Sequence, residues 1–154
     1  MSLSFSSSSF IYALQRLILL ILLPLVGGMA LAQEITLTPA SEGAQVYFIA
    51  PQDGQTLSNP VLVQFGLKGM GVAPAGIDAP NTGHHHLLVN TALPPAGQPI
   101  PTDEAHLHFG LGQTETTLTL PPGQHELQIL LGDHAHIPHQ PMIASERIMI
   151  IVEE

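Results

Sequence analysis

From residue 33 onward the apolar positions recur at every second residue rather than every third or fourth, in short runs broken by Pro, Gly and Asn. Side chains of a strand alternate between two faces, so this period marks half-buried strands. The runs are Gln45–Ala50, Val61–Leu67, His84–Asn90, His106–Phe109, Gln113–Leu120, His125–Leu131 and Ile143–Val152. In the fifth, Thr114, Thr116, Leu118 and Leu120 share a face; in the last, Ile148, Ile150 and Val152 do. Turn chemistry separates them, as at Pro51-Gln52-Asp53-Gly54 and Pro121-Pro122-Gly123. No stretch holds apolar residues at helical spacing between caps. About seven short strands in one domain predict an all-β, immunoglobulin-like sandwich. The Cys–Trp–Cys framework of antibody domains is missing, so the likeness is one of architecture.

The N-terminal residues follow another pattern. Arg16 precedes an apolar core, Leu17 to Val26, and Ala30-Leu31-Ala32 supplies small residues for signal peptidase. Residues 1–32 are therefore expected to be a signal helix cleaved near Ala32/Gln33, with a linker over 33–44 and the sandwich over 45–154. The expected location is the periplasm or outside the cell, with membrane attachment only through an uncleaved signal. The apolar core is shorter than the roughly 20 residues of a spanning helix.

Without Arg16, twelve acidic residues face two basic ones, a formal charge of −10. Such a surface repels nucleic-acid backbones and attracts cations. Cysteine is absent, which excludes disulfides and thiolate metal sites. Any metal must then be held by nitrogen, oxygen or thioether.

Nitrogen is plentiful: the chain has nine histidines. Three H-x-H pairs stand out, at His84/His86, His106/His108 and His134/His136. On a strand, residues i and i+2 share a face about 6.6 Å apart, close enough for two imidazoles to lean together. His84 and His86 lie opposite His85, Leu87 and Val89; His106 and His108 lie opposite the core-like Leu107 and Phe109. The six paired histidines form the candidate metal set, with Asp133 as an orienting carboxylate or oxygen ligand. Copper is expected before zinc, because Met70 and Met142 lie near the histidine segments and thioethers favour copper. Affinity should fall as imidazoles protonate, below about pH 6.

The remaining histidines read as structural. His125 follows the Pro-Pro-Gly turn and should hydrogen-bond a loop carbonyl. His85 should be buried and pin the Gly69–Gly83 loop, while His139 is either an outer ligand or exposed. That loop and Thr91–Thr102 flank the histidine strand, and loops so long in a compact domain are usually functional. A non-catalytic module with a loop-fixing histidine network is the alternative to metal binding. A metal enzyme would need an open coordination position. No nucleophile elbow, Walker loop or H-E-x-x-H is present.

The run Asn81-Thr82-Gly83-His84-His85-His86-Leu87-Leu88-Val89 closely resembles the hallmark of DUF4399, a bacterial domain family of unknown function. The segments Phe65–Gly76, His106–Gly110, Gly112–Thr116 and Leu130–His134 look familial too, so the resemblance spans roughly Val46 to Val152. It implies an exported small β domain and brings no established activity.

Overall fold

The computed structural model describes residues 37–154; the expected signal segment lies outside the described residues. Nine strands follow: β1 (Gln45–Ala50), β2 (Thr56–Leu57), β3 (Val61–Lys68), β4 (Gly71–Val72), β5 (Thr82–Val89), β6 (His106–His108), β7 (Glu115–Leu118), β8 (Gly123–Gly132) and β9 (Ile148–Val152). Seven coincide with the expected runs. The two extra, β2 and β4, are two-residue strands, too short to show an alternation.

One sheet has the order β1-β3-β7, and the other β2-β9-β8-β5-β4 with β6 also pairing β5. This is the expected all-β, immunoglobulin-like sandwich. Alternation decides what fills it. Val46, Val61, Val63 and Phe65 from one sheet meet Leu87, Leu127, Ile129, Ile148, Ile150 and Val152 from the other. Each such side chain contributes about 1.5–3 kcal/mol by leaving water.

The last expected run is broken. Only Ile148–Val152 is continuous strand, while Ile143–Ser145 pairs separately with β8 through Leu131 N to Ile143 O and Ser145 N to Ile129 O, both 2.9 Å. The described part of the stretch expected as a linker is tied to the body: Ala40 N donates to Gln140 O (2.9 Å) and Thr38 Oγ1 to Asp133 Oδ2 (2.6 Å).

β5 governs the site. One edge pairs with β8, and the other is shared by β4 at its start and β6 at its end. His85 and Leu87 face the space between the sheets. His84, His86 and Leu88 face outward, yet all three are buried. Loops make this possible: Leu93 and Ile100, from the long segment after β5, pack on Leu88 and Leu130 as a second small core. The histidines lie beside that core on the same covered face.

Candidate metal centre

Strand register brings the first three imidazoles together. His86 lies opposite His108 across the β5–β6 ladder, and His84 is two residues along the same face. Ligand nitrogens of His84, His86 and His108 all lie within 4.8 Å of one another, so the three can hold a metal ion. His86 Nε2 is 3.0 Å from His84 Nε2.

His136 joins from the loop after β8. Its Nε2 is 3.2 Å from His108 Nε2, and its ring centroid is 5.0 Å from that of His84. The backbone that delivers it has φ 64°, in the sparsely populated left-handed region. Five contacts hold that turn: Ala135 N and Ile137 N each donate to Asp133 Oδ1 at 2.9 Å, Asp133 N donates to Ile137 O at 2.9 Å, His136 N donates to Asp133 O at 3.0 Å, and Ile100 N donates to His136 O at 2.7 Å.

Two of the six paired histidines stand apart from this group. His106 pairs with Leu88, one step too far along β6, and its Nδ1 lies 2.8 Å from Asp103 Oδ1. That hydrogen bond also draws the Asp103 carboxyl below its usual range. His134 sits at the rim, partly exposed, with Nδ1 3.6 Å from Asp78 Oδ1. The i, i+2 rule holds on a strand, and residues 133–137 form a turn in which His134 and His136 diverge. Asp133 gives its oxygens to Thr38 and the loop amides rather than to an imidazole. Burial alone would raise its pKa, but those donors more than reverse the effect and hold it low.

Neither methionine supports copper. Met70 packs on the core between the sheets. Met142 lines a groove of about 480 Å³ between Gln45–Phe48 and Met142–Glu146, and none of the site histidines lines it.

The rings of His84, His86 and His108 are neutral at pH 7. Burial first, then the neighbouring imidazoles, lowers His84 to about 4 and His86 to about 3. Burial and His136 also lower His108. Neutral imidazoles facing one another leave lone pairs for a Lewis acid. The Nδ1 atoms of His84 and His86 are buried without hydrogen-bond partners among the described residues, so packing holds these rings where a carboxylate often would.

Glycines make the room. A Cβ on Gly110 would overlap the His108 ring, and one on Gly132 would lie 3.0 Å from His86 Nε2. Sequence reasoning missed both; the available signal was a Gly two residues after each of His108 and Leu130. Both long loops reach the site as expected, through Ala75 N to Gly110 O (2.9 Å), Gly76 N to His134 O (2.9 Å) and the Ile100 bond.

The other histidines are structural pins. His125 Nε2 lies 2.8 Å from Pro121 O, the loop carbonyl expected. His85 is buried against Phe65 (centroids 5.0 Å), but its Nδ1 reaches Gln113 O at 3.3 Å rather than the Gly69–Gly83 loop. His139 is fully buried, with Nε2 3.2 Å from Thr82 O, so it is neither exposed nor an outer ligand.

The family model of the domain of unknown function DUF4399 matches residues 63–153. The chain belongs to this family. That span contains every histidine of this DUF4399 domain's cluster. No curated protein matches the sequence. Among solved structures, the fibronectin(III)-like modules of Clostridium thermocellum CbhA are similar at 14% identity and a TM-score of 0.31, over 70% of this chain and 93% of that one.

Proposed function

We propose that this is an exported domain that binds a transition-metal ion through His84, His86, His108 and His136. The observation that carries the reading is the pair of facing Nε2 contacts, His84–His86 at 3.0 Å and His108–His136 at 3.2 Å, with burial keeping the His84, His86 and His108 rings neutral at pH 7. Three separate segments deliver these four rings to one covered spot. A nitrogen-only donor set suits copper and zinc alike. The earlier ground for ranking copper first falls away with the methionines.

The alternative, a histidine network that merely fixes loops, accounts for His85, His106, His125 and His139, each of which meets a carbonyl or carboxylate. It takes the His84–His86 and His108–His136 contacts as hydrogen bonds, but leaves the buried Nδ1 atoms of His84 and His86 without a partner among the described residues. Calorimetric titration of the apo-protein with Zn(II) and with Cu(II) tests the proposal. About one ion per chain is expected, with binding lost in a His84→Ala/His86→Ala variant. No heat with either ion, or undiminished binding in the variant, overturns it.

A further inference from the structure

Six ring-to-ring separations define the shape of the cluster, and shape discriminates between ions. Resting on the metal-binding reading above, we infer that His84, His86, His108 and His136 form a closed, tetrahedral four-nitrogen site. Such a site selects a d10 ion, Zn(II) or Cu(I), and leaves no coordination position for a substrate.

The centroid separations are 4.8 Å for His84–His86, 5.0 Å for His84–His108, 5.0 Å for His84–His136, 5.0 Å for His86–His108, 4.7 Å for His108–His136 and 6.0 Å for His86–His136. Four rings around a square-planar ion would have two diagonals, each about 1.4 times the sides. Here a single pair exceeds 5.0 Å, and the opposite pair, His84–His108, is no longer than the edges. The four centroids are thus the corners of a slightly stretched tetrahedron.

Absolute size agrees. With metal–nitrogen bonds of about 2.0–2.1 Å, tetrahedral imidazoles place their donor atoms about 3.4 Å apart and their centroids about 5 Å apart. The facing Nε2 pairs, at 3.0 and 3.2 Å, match two opposite edges of that figure within a few tenths of an ångström; the nitrogens of His84, His86 and His108 already lie within 4.8 Å of one another, and the His136 ring has to close on those three when an ion binds. Interplanar angles from 33° to 82° show that the rings are not stacked face to face.

Among the described residues, neither Asp133 nor Asp103 is free to act as a fifth donor. Asp133 gives its oxygens to Thr38, Ala135 and Ile137, and Asp103 gives Oδ1 to His106 and two amides. Cu(II) prefers tetragonal surroundings, whereas ions with filled d shells accept the tetrahedron without penalty. Sites closed by four protein ligands hold or carry an ion, and catalytic sites keep a position open.

Co(II), which reports coordination number by its visible spectrum, provides the test. The full-length protein loaded with Co(II) should show the intense bands of a tetrahedral ion, unchanged by added azide. In His136→Gly, where glycine suits the left-handed backbone, azide should change the spectrum and Zn(II) affinity should fall about 10- to 100-fold. Circular dichroism checks that the variant keeps its sheets. A weak six-coordinate spectrum, an azide response in the unmodified protein, or a His136→Gly spectrum like the parent's overturns the closed tetrahedron while leaving metal binding intact. Failure of Zn(II), copper and Co(II) to bind at all overturns both readings.

Discussion

Asp133 Oδ1 accepts hydrogen bonds of 2.9 Å from the amides of Ala135 and Ile137, the two residues that flank His136. The carboxylate therefore orients a site histidine through the backbone, without touching its ring. Thr38 Oγ1 secures the other oxygen at 2.6 Å. Replacing Asp133 by Ala leaves two amides unsatisfied and frees a residue held at φ 64°. The expected result is a loss of about 2 kcal/mol or more in stability and a 10- to 100-fold drop in Zn(II) affinity. Asp133→Asn keeps one acceptor oxygen and should lose less of each. Calorimetry and urea melts measure both; equal affinity in all three proteins would separate Asp133 from the site.

Gly110 is expected to act on the site and spare the core. The ring of His108 occupies the space where a Gly110 side chain would stand, and His86 Nε2 approaches Gly132 in the same way. Gly110→Ala must push the His108 ring aside, costing on the order of 1–3 kcal/mol by overpacking. Metal affinity should fall at least about ten-fold while sheet content by circular dichroism is unchanged. Full affinity in Gly110→Ala would show that His108 is not a ligand.

The middle histidine of the triplet should behave unlike its neighbours. His85 faces the space between the sheets, against Phe65, and its buried Nε2 has no partner among the described residues. Exchange for an apolar side chain removes that desolvated nitrogen at the cost of the Gln113 contact, two effects that nearly cancel. His85→Leu is expected to bind one ion like the parent and to shift stability by no more than about 1 kcal/mol. Loss of binding in His85→Leu, with its melting midpoint unchanged, would place this ring in the site after all.

The strands were legible because alternation is a direct record of a two-sided sheet. It placed seven elements and sorted His84 and His86 from His85. It also sent Leu107 and Phe109 inward, leaving His106 and His108 on the other face. What alternation cannot carry is register between strands: only pairing with β5 shows that His108 meets His86 while His106 stops beside Leu88 and turns to Asp103. Nor does it reach into turns. Nothing in Asp133-His134-Ala135-His136 distinguishes the rim histidine from the site histidine, because a left-handed residue and a carboxylate bonded to nearby amides decide it. The glycines were overlooked for a related reason. Their contribution is the absence of a side chain beside a ring from another segment.

Acid should act on the apo-fold and on ion release through the same rings. Free imidazole titrates near about 6.5. Burial first, and neighbouring rings second, lower His84 to about 4 and His86 to about 3. As pH falls below about 6.5 the unfolded chain therefore takes up protons before the folded one, and the equilibrium moves toward unfolding. The stability at stake is fully present above about pH 6.5 and drains away as pH falls through the folded values; it is on the order of a few kcal/mol. Urea midpoints of the apo-protein should decline between pH 7 and pH 4, and a His84→Leu/His86→Leu variant should show a shallower decline. His85 and His108, also lowered by burial, account for the residual slope. Because protons reach the ligand nitrogens late, a bound ion should persist below the about pH 6 expected for ordinary imidazoles and leave nearer pH 4–5. A flat pH profile for the parent, or the same slope in the double variant, would mean that these two rings do not carry the acid sensitivity.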